Sequence, residues 1–265
     1  MTLKSDKNAK PSSPAAADLK PEASTPKLFL PVGRGSRGKT FLARWLIDRA
    51  QMLGREIVVA DADRTNPSLA GYLNGVLTPP SADENDMRDW FRALCEQQIV
   101  ERFNLLIDLG GGDLLLKQLA RRIGLLPFLK ANGVDAVAIH LIGPERDDLA
   151  YLRDLETDGL VAPEATILVL NESLAPRNLS IKAAFQPVFE HPIFKAALNR
   201  GARLVWMPRL DVAHEINARR LPFTAAEAGA ATEELPPLGP WNRQLIAMWL
   251  RAMEHNFAPV ASWLA

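Results

Sequence analysis

Short, continuous runs of apolar residues recur along the chain, and segments whose apolar residues follow helical spacing lie between them. The runs do not alternate apolar and polar residues, so they predict strands that are buried on both faces. The predicted strands are residues 27–32, 57–60, 105–109, 136–142, 166–170 and 203–207. The predicted helices are residues 39–52, 86–102, 114–130 with a break near Gly124, 147–158, a proline-interrupted stretch over 181–199, and 241–256. The alternation predicts an α/β fold, a three-layer, doubly wound and mostly parallel sheet with helices on both faces.

The first 26 residues lack this pattern and are rich in Ala, Pro, Ser and Lys. They offer little that a core could bury, so we expect a disordered, mildly basic tail, either solvated or touching DNA. They also lack the apolar stretch of a signal peptide. The remaining residues, 27–265, are then expected to form one domain that ends in a helix at about 241–256.

The loop after the first predicted strand carries the most specific chemical signal. Residues 33–40 read Gly-Arg-Gly-Ser-Arg-Gly-Lys-Thr and fit the phosphate-loop (P-loop) pattern G-x-x-x-x-G-K-[ST]. Such a loop wraps phosphate oxygens with backbone N–H groups, and the helix after it adds the positive end of its dipole. Lys39 is expected to reach the β and γ phosphates, and Thr40 to bind Mg²⁺. The predicted nucleotide-binding residues of this segment are Gly33, Gly35, Ser36, Arg37, Gly38, Lys39, Thr40 and Phe41.

Acidic residues close the next two predicted strands. Asp61 and Asp63 follow the second strand, and Asp108 ends the third. A carboxylate at a strand end beside a phosphate loop can hold Mg²⁺ through its waters or orient the attacking water, whereas a lone Asp there can also be a capping or turn residue. We expect Asp108 and Asp61 to serve the metal and Asp63 to orient the water. The following glycines, Gly110–Gly112, are expected either to sense the γ phosphate or to form a flexible turn.

The order of these segments resembles the ParA/MinD-type ATPases, whose deviant Walker A loop reads K-G-G-x-G-K-[ST]. Residues 58–63 resemble that family's strand ending in D-x-D, and residues 105–108 resemble its Walker B strand. Residues 207–222, with Met-Pro-Arg-Leu, Glu215 and Leu-Pro, are similar to its I-P-R…E-A…P segment. The resemblance implies a P-loop NTPase fold, slow ATP hydrolysis and a nucleotide-dependent homodimer. The chain looks most like plasmid-encoded members that serve plasmid stability, partition or conjugal transfer, which implies DNA or a DNA-bound protein as partner.

Two positions depart from the family's pattern. The family's signature lysine, which reaches the partner's phosphates across a nucleotide-sandwich dimer, falls at Arg34. Because the arginine fork also suits phosphate, Arg34 is expected either to reach the partner's phosphates or to be an ordinary loop side chain. In the first case, Arg34 is a catalytic residue together with Lys39 and Asp63. Gly110–Gly111 replace the family's Thr-Pro or Pro-Pro, so its switch behaviour does not carry over directly.

The resemblance also implies which residues line the base. Asn171, after the fifth predicted strand, and Pro208 occupy the corresponding positions, although Asn171 can equally be a turn residue. A GTP-specific site usually shows N-K-x-D, whereas residues 171–174 here read Asn-Glu-Ser-Leu. The absence of that Lys and Asp favours ATP as the nucleotide.

Composition narrows the remaining choices. Lys plus Arg and Asp plus Glu each number 31, so the strongly basic footprint of a nucleic-acid-binding domain is absent overall. The single cysteine, Cys95, excludes an intramolecular disulfide and suits a reducing cytoplasm. We expect His140 to be a packed core residue, and Arg219 and Arg220 to be solvated or part of a DNA-contacting patch.

The terminal helix carries Trp241, Leu245, Met248 and Trp249 but few basic residues. This composition favours packing or dimer formation over membrane binding. Two other functions stay open: a small-molecule kinase, although no arginine-rich lid motif is present, and a nucleotide-gated adaptor with little turnover.

Overall fold

The computed structural model describes residues 25–63, 69–109, 114–157, 159 and 161–264. Almost all of the predicted tail and the whole of Gly110–Gly112 therefore lie outside the described residues. The described strands form one parallel, six-stranded sheet with the order β2-β3-β1-β4-β5-β6. Their bounds are β1 Lys27–Val32, β2 Ile57–Asp61, β3 Asn104–Asp108, β4 Asp135–Ile142, β5 Ala165–Asn171 and β6 Arg203–Met207. All six predicted strands are confirmed to within one residue at each end.

The helices connect the strands and cover both faces of the sheet. Their bounds are α1 Lys39–Met52, α2 Glu84–Glu101, α3 Leu114–Ile123, α4 Leu125–Ala131, α5 Ala150–Thr157, α6 Ile181–Ala184, α7 Gln186–Phe189, α8 Pro192–Arg200, α9 Ala213–Arg219, α10 Phe223–Ala228 and α11 Pro240–Phe257. One core cluster packs α1 and α9–α11 against one face, and two clusters pack α2–α8 against the other. The predicted three-layer α/β fold with helices on both faces is confirmed.

The predicted break in one helix is confirmed, and another predicted helix begins differently in the structure. The predicted break near Gly124 divides residues 114–130 into α3 and α4, because Gly124 adopts φ +61° between them. The predicted helix at 147–158 begins instead as a 3₁₀ turn over Arg146–Leu149, followed by α5. There the Asp148 carboxylate accepts a hydrogen bond from the Glu145 backbone N–H at 3.3 Å and completes a capping box.

The short helices α9 and α10 follow β6 and were not predicted as elements. Their own sequences are too short to be stable helices in isolation, so packing must hold them. Phe223, at the start of α10, is fully buried and lies against the rings of Phe41 and Trp249, with centroid distances of 5.0 and 4.9 Å. Both helices thus sit over α1 beside the phosphate loop. Among the described residues, no helix has the length and apolar character needed to cross a membrane.

Candidate nucleotide-binding site

The phosphate loop leaves the carboxyl end of β1, where its glycines meet the neighbouring strands closely. Gly33 adopts φ +147°, and a Cβ there would lie 2.7 Å from the Leu141 carbonyl oxygen of β4. Gly38 adopts φ +96°, and a Cβ there would lie 2.8 Å from Asn171 Nδ2 of β5. At Gly35 a Cβ would meet nothing within 4 Å. The first and last glycines of the motif are therefore required by the backbone and its neighbours, whereas Gly35 faces open space.

Lys39 begins α1 and is only 6% exposed. Its ammonium group donates to the carbonyl oxygens of Gly33 at 3.1 Å and Arg34 at 3.2 Å. These bonds hold the charge against the concave side of the loop, where the motif predicts that phosphate oxygens bind.

Thr40, the residue after Lys39, contacts Asp108. These are two of the residues that the sequence predicts as Mg²⁺ ligands. Thr40 Oγ1 donates to Asp108 Oδ2 at 2.8 Å, and the Asp108 side chain is buried at the end of β3. A hydroxyl and a carboxylate are the hard oxygen ligands that Mg²⁺ takes, and Mg²⁺ usually keeps several waters and adds substrate phosphates. This pair fits such an ion. Within the described residues, no group of three or more His, Cys, Asp or Glu side chains forms an all-protein metal site.

Asp61 is placed beside Asp108 by the parallel register of β2 and β3 but binds its own loop. Its carboxylate accepts backbone N–H groups of Asp63 at 3.1 Å, Leu69 at 2.8 Å and Ala70 at 3.2 Å. Burial raises the pKa of Asp61, and the nearby charge of Asp108 raises it further, against those hydrogen bonds. Asp61 therefore shapes the segment that carries Asp63. The predicted roles of Asp61 at the metal and Asp63 at the water stay predictions.

Arg34 and Arg37 both turn toward one buried carboxylate after β4. Asp148 is 1% exposed, and its Oδ1 lies 2.6 Å from Arg37 Nε and 3.5 Å from Arg34 Nη1. Glu145 Oε2 lies 4.0 Å from the same Arg34 nitrogen. Asp148 thus anchors the phosphate loop to the turn after β4. This link could not be predicted from the sequence, because Arg37 and Asp148 are 111 residues apart.

Asn171 and Pro208, the predicted base contacts, are engaged with the protein. Asn171 Nδ2 donates to the Arg37 carbonyl at 3.0 Å, and its Oδ1 accepts the Ser173 N–H at 3.0 Å. The Pro208 carbonyl accepts the indole N–H of Trp249 at 2.9 Å. Asn171 therefore braces the phosphate loop from β5 in the turn role that the sequence also allowed. Contact of either residue with a base stays a prediction.

An open cavity of about 360 Å³ lies along the phosphate loop and the first turns of α1. The predicted residues of its lining are Gly35, Ser36, Gly38, Lys39, Thr40, Phe41 and Asp63. Three further lining residues were not predicted: Arg44 from α1, Tyr72 from the segment after β2, and Asn217 from α9. Arg44 lies one helical turn after Thr40 on α1, so its place beside the phosphate loop could have been predicted from the helical spacing. Asn217 lies within residues 207–222, which resemble the family's I-P-R…E-A…P segment, but it is not one of the matched residues, and 173 residues separate it from Arg44.

The other candidate residues are not among those that line this cavity. Arg219 forms an ion pair with Glu215 at 2.6 Å, and its side chain is only 9% exposed. The expectation that Arg219 is solvated is therefore wrong. Arg220 is exposed. His140 is buried in β4, as predicted. On α11, Trp249 is buried against the core while Trp241 is 78% exposed.

No protein-family model matches the chain, and no curated protein matches it. Among solved structures, the MinD cell division protein of Aquifex aeolicus is 14% identical with a TM-score of 0.47, over 87% of this chain and 97% of that one. Chloroplast FtsY from Physcomitrella patens is 14% identical with a TM-score of 0.44, over 86% of this chain and 65% of that one. The signal recognition particle receptor FtsY from Elizabethkingia anophelis is 12% identical with a TM-score of 0.44, over 86% and 66% of the two chains. This chain thus spans slightly less than two thirds of either FtsY chain.

Proposed function

We propose that the protein is a Mg²⁺-dependent ATPase that works as a nucleotide-controlled dimer switch. The observation that carries this proposal is the joint geometry of Lys39, Thr40 and Asp108 at the phosphate loop. A buried ammonium lies on the loop, and a hydroxyl meets a carboxylate at 2.8 Å beside it. This arrangement suits a polyphosphate with its metal ion, and it supplies positioning and charge rather than a covalent nucleophile.

When bound, Mg²⁺ would neutralise charge on the phosphates as they separate. Thr40 would hold the ion directly, and Asp108 would hold it through the ion's waters. Lys39 would move from the carbonyl oxygens of its own loop onto the phosphate oxygens. Asp63, which lines the cavity, would orient the attacking water. ATP is the preferred nucleotide in this proposal, because residues 171–174 lack the Lys and Asp of a guanine-reading segment.

The dimer part of the proposal concerns Arg34. Its side chain is 40% exposed as a whole, but Nη1, the nitrogen that lies 3.5 Å from Asp148, is buried and has no hydrogen-bond partner among the described residues. Reaching a second subunit's phosphates requires it to leave Asp148, while Arg37, at 2.6 Å, remains as the counter-ion of that carboxylate. We infer that ATP favours a closed homodimer and that slow hydrolysis releases it. Plasmid maintenance or conjugative DNA transfer, with DNA or a DNA-bound protein as partner, is the role that the sequence resemblance suggests.

The first test is sedimentation of the purified protein with Mg²⁺ and ADP, ATP or a non-hydrolysable ATP analogue. The Arg34→Ala variant is compared with Arg92→Ala, which removes an exposed arginine on α2, away from the cavity. We expect a dimer with ATP or the analogue, loss of that dimer in Arg34→Ala, and an unchanged dimer in Arg92→Ala. DNA retention by the analogue-bound dimer then tests the proposed partner.

A protein that stays monomeric while ATP is demonstrably bound contradicts the dimer switch. Tight ATP binding without phosphate release, even with DNA present, contradicts the ATPase and favours a nucleotide-gated adaptor. ATP consumption that one small metabolite stimulates many-fold, with the phosphoryl group transferred to that metabolite, contradicts the switch in favour of a kinase.

A further inference from the structure

Three side chains from separate parts of the chain meet beside the phosphate loop, in the same cavity. They are Arg44 of α1, Tyr72 after β2 and Asn217 of α9. None of them takes part in the phosphate and metal chemistry described above. Because they line the same cavity as the phosphate-loop residues, they are placed to contact a part of the ligand other than its phosphates.

Arg44 organises this group. It is 5% exposed, and its guanidinium carbon lies 3.8 Å from the centre of the Tyr72 ring. Arg44 Nη1 donates to Asn217 Oδ1 at 2.6 Å, and Nη2 donates to the Leu221 carbonyl at 3.0 Å. Burial lowers the pKa of Arg44 to about 10, which leaves the guanidinium charged at neutral pH. Arg44 is thus charged, stacked on Tyr72 and held by two hydrogen bonds, and it fixes the side chains of Tyr72 and Asn217 in place.

The bond to Arg44 decides which end of Asn217 a ligand can meet. An arginine has only donors, so the Asn217 oxygen must face it and accept. The amide nitrogen, a donor, is then the end that remains for a ligand, and a neutral donor of this kind suits a hydroxyl oxygen. By contrast, Asn171 already uses both its nitrogen and its oxygen within the protein.

The position of the group along α1 selects the part of the nucleotide. Arg44 lies four residues after Thr40, which is roughly 6 Å along a helix. Thr40 marks the metal and the terminal phosphates in the proposed function. The sugar follows the α phosphate and is the next part of a nucleoside triphosphate to leave the loop, whereas the base lies further away.

We infer that Asn217, held by Arg44 against Tyr72, is a specificity-determining residue that donates a hydrogen bond to a ribose hydroxyl of the bound nucleoside triphosphate. This inference rests on the proposed function, because it presumes a nucleotide at the phosphate loop. The site then recognises a ribonucleotide through its sugar as well as through its phosphates.

The test measures Mg²⁺-dependent binding of ATP, 2′-deoxy-ATP, 3′-deoxy-ATP, GTP and inorganic triphosphate by calorimetry. Wild-type protein is expected to bind ATP roughly 3- to 10-fold more tightly than at least one deoxy analogue, the ratio for one neutral hydrogen bond. Asn217→Ala is expected to bind ATP and that analogue equally. Inorganic triphosphate has no sugar, so its unchanged binding to the variant shows that the protein is folded and the loop intact. Asn199→Ala, an exposed amide on α8, is the matched control and keeps the wild-type ratio.

Equal binding of ATP and both deoxy analogues by the wild-type protein overturns the inference without any variant. A preference that persists in Asn217→Ala also overturns it. So does a variant that alters the ratio of ATP to GTP and leaves the ratio of ATP to its deoxy analogues unchanged, because the residue then reads the base. If the wild-type protein binds neither ATP nor inorganic triphosphate, the proposed function itself fails and this inference fails with it.

Discussion

The buried histidine of β4 makes the fold sensitive to acid by an amount that can be worked out. His140 is 1% exposed, and within the described residues neither of its ring nitrogens has a hydrogen-bond partner. Burial, and to a smaller degree the charge of Arg200, lowers the pKa of His140 from 6.5 to about 3. The folded protein therefore keeps the ring neutral in a pH range where the unfolded chain takes up a proton.

The sign follows from proton linkage. Stability from the neutral ring is fully present above pH 6.5 and is lost as pH falls from 6.5 toward 3. One pH unit corresponds to about 1.4 kcal/mol, so wild-type protein should lose about 2 kcal/mol of unfolding free energy between pH 6.5 and pH 5 from this group alone. Urea denaturation at pH 7, 6 and 5 measures the loss.

Carboxylates titrate in the same range, so the decisive quantity is a difference between variants. His140→Leu keeps an apolar side chain of similar size in the core and cannot be protonated. Its stability should fall less steeply with acid than that of the wild type, by about 2 kcal/mol at pH 5. His255→Leu, an exposed site at the end of α11, should keep the wild-type slope. Parallel pH profiles for wild type and His140→Leu would refute the reasoning.

Two further predictions concern the phosphate loop. Gly33→Ala should lower the free energy of unfolding without nucleotide by about 1–3 kcal/mol, because φ is +147° and a Cβ would press on the Leu141 carbonyl. Gly35→Ala should change it by less than about 0.5 kcal/mol, and equal losses in urea denaturation would count against this reading. Thr40→Val should slow Mg²⁺-dependent phosphate release at least about tenfold, equivalent to about 1.4 kcal/mol, because it removes the metal-binding hydroxyl. Thr40→Ser should retain release, and an unchanged magnesium titration in Thr40→Val would exclude the metal role.

The strands and the phosphate loop were predictable because their signals are local. An uninterrupted apolar run reports burial on both faces, and six such runs lie within one residue of the observed strands. Helices α9 and α10 were not predictable in this way. Their stability depends on Phe223 packing against Phe41 and Trp249, a contact among residues that are distant in sequence.

The same distinction separates the parts of the site. Lys39 and Thr40 belong to one motif, and Asp108 ends a recognisable strand, so their roles could be predicted without a structure. The bond between Arg44 and Asn217 joins positions 173 residues apart, and neither residue is a matched position of a motif. Such a pair becomes visible only when the fold brings α1 and α9 together.

The phosphate loop carries three cations, and one buried acid, Asp148, lies at different distances from two of them. Arg34, Arg37 and Lys39 would repel one another on an unsupported loop of this size. Asp148, buried after β4, lies 2.6 Å from Arg37 and 3.5 Å from Arg34, so the closer arginine acts mainly as its counter-ion. Lys39 donates hydrogen bonds to the carbonyl oxygens of Gly33 and Arg34, which are neutral acceptors. The ion pair between Arg34 and Asp148 is longer than that between Arg37 and Asp148 and is therefore the weaker of the two. In the proposed function, Arg34 therefore turns to a phosphate at a lower free-energy cost than Arg37, which keeps the loop attached to the turn after β4.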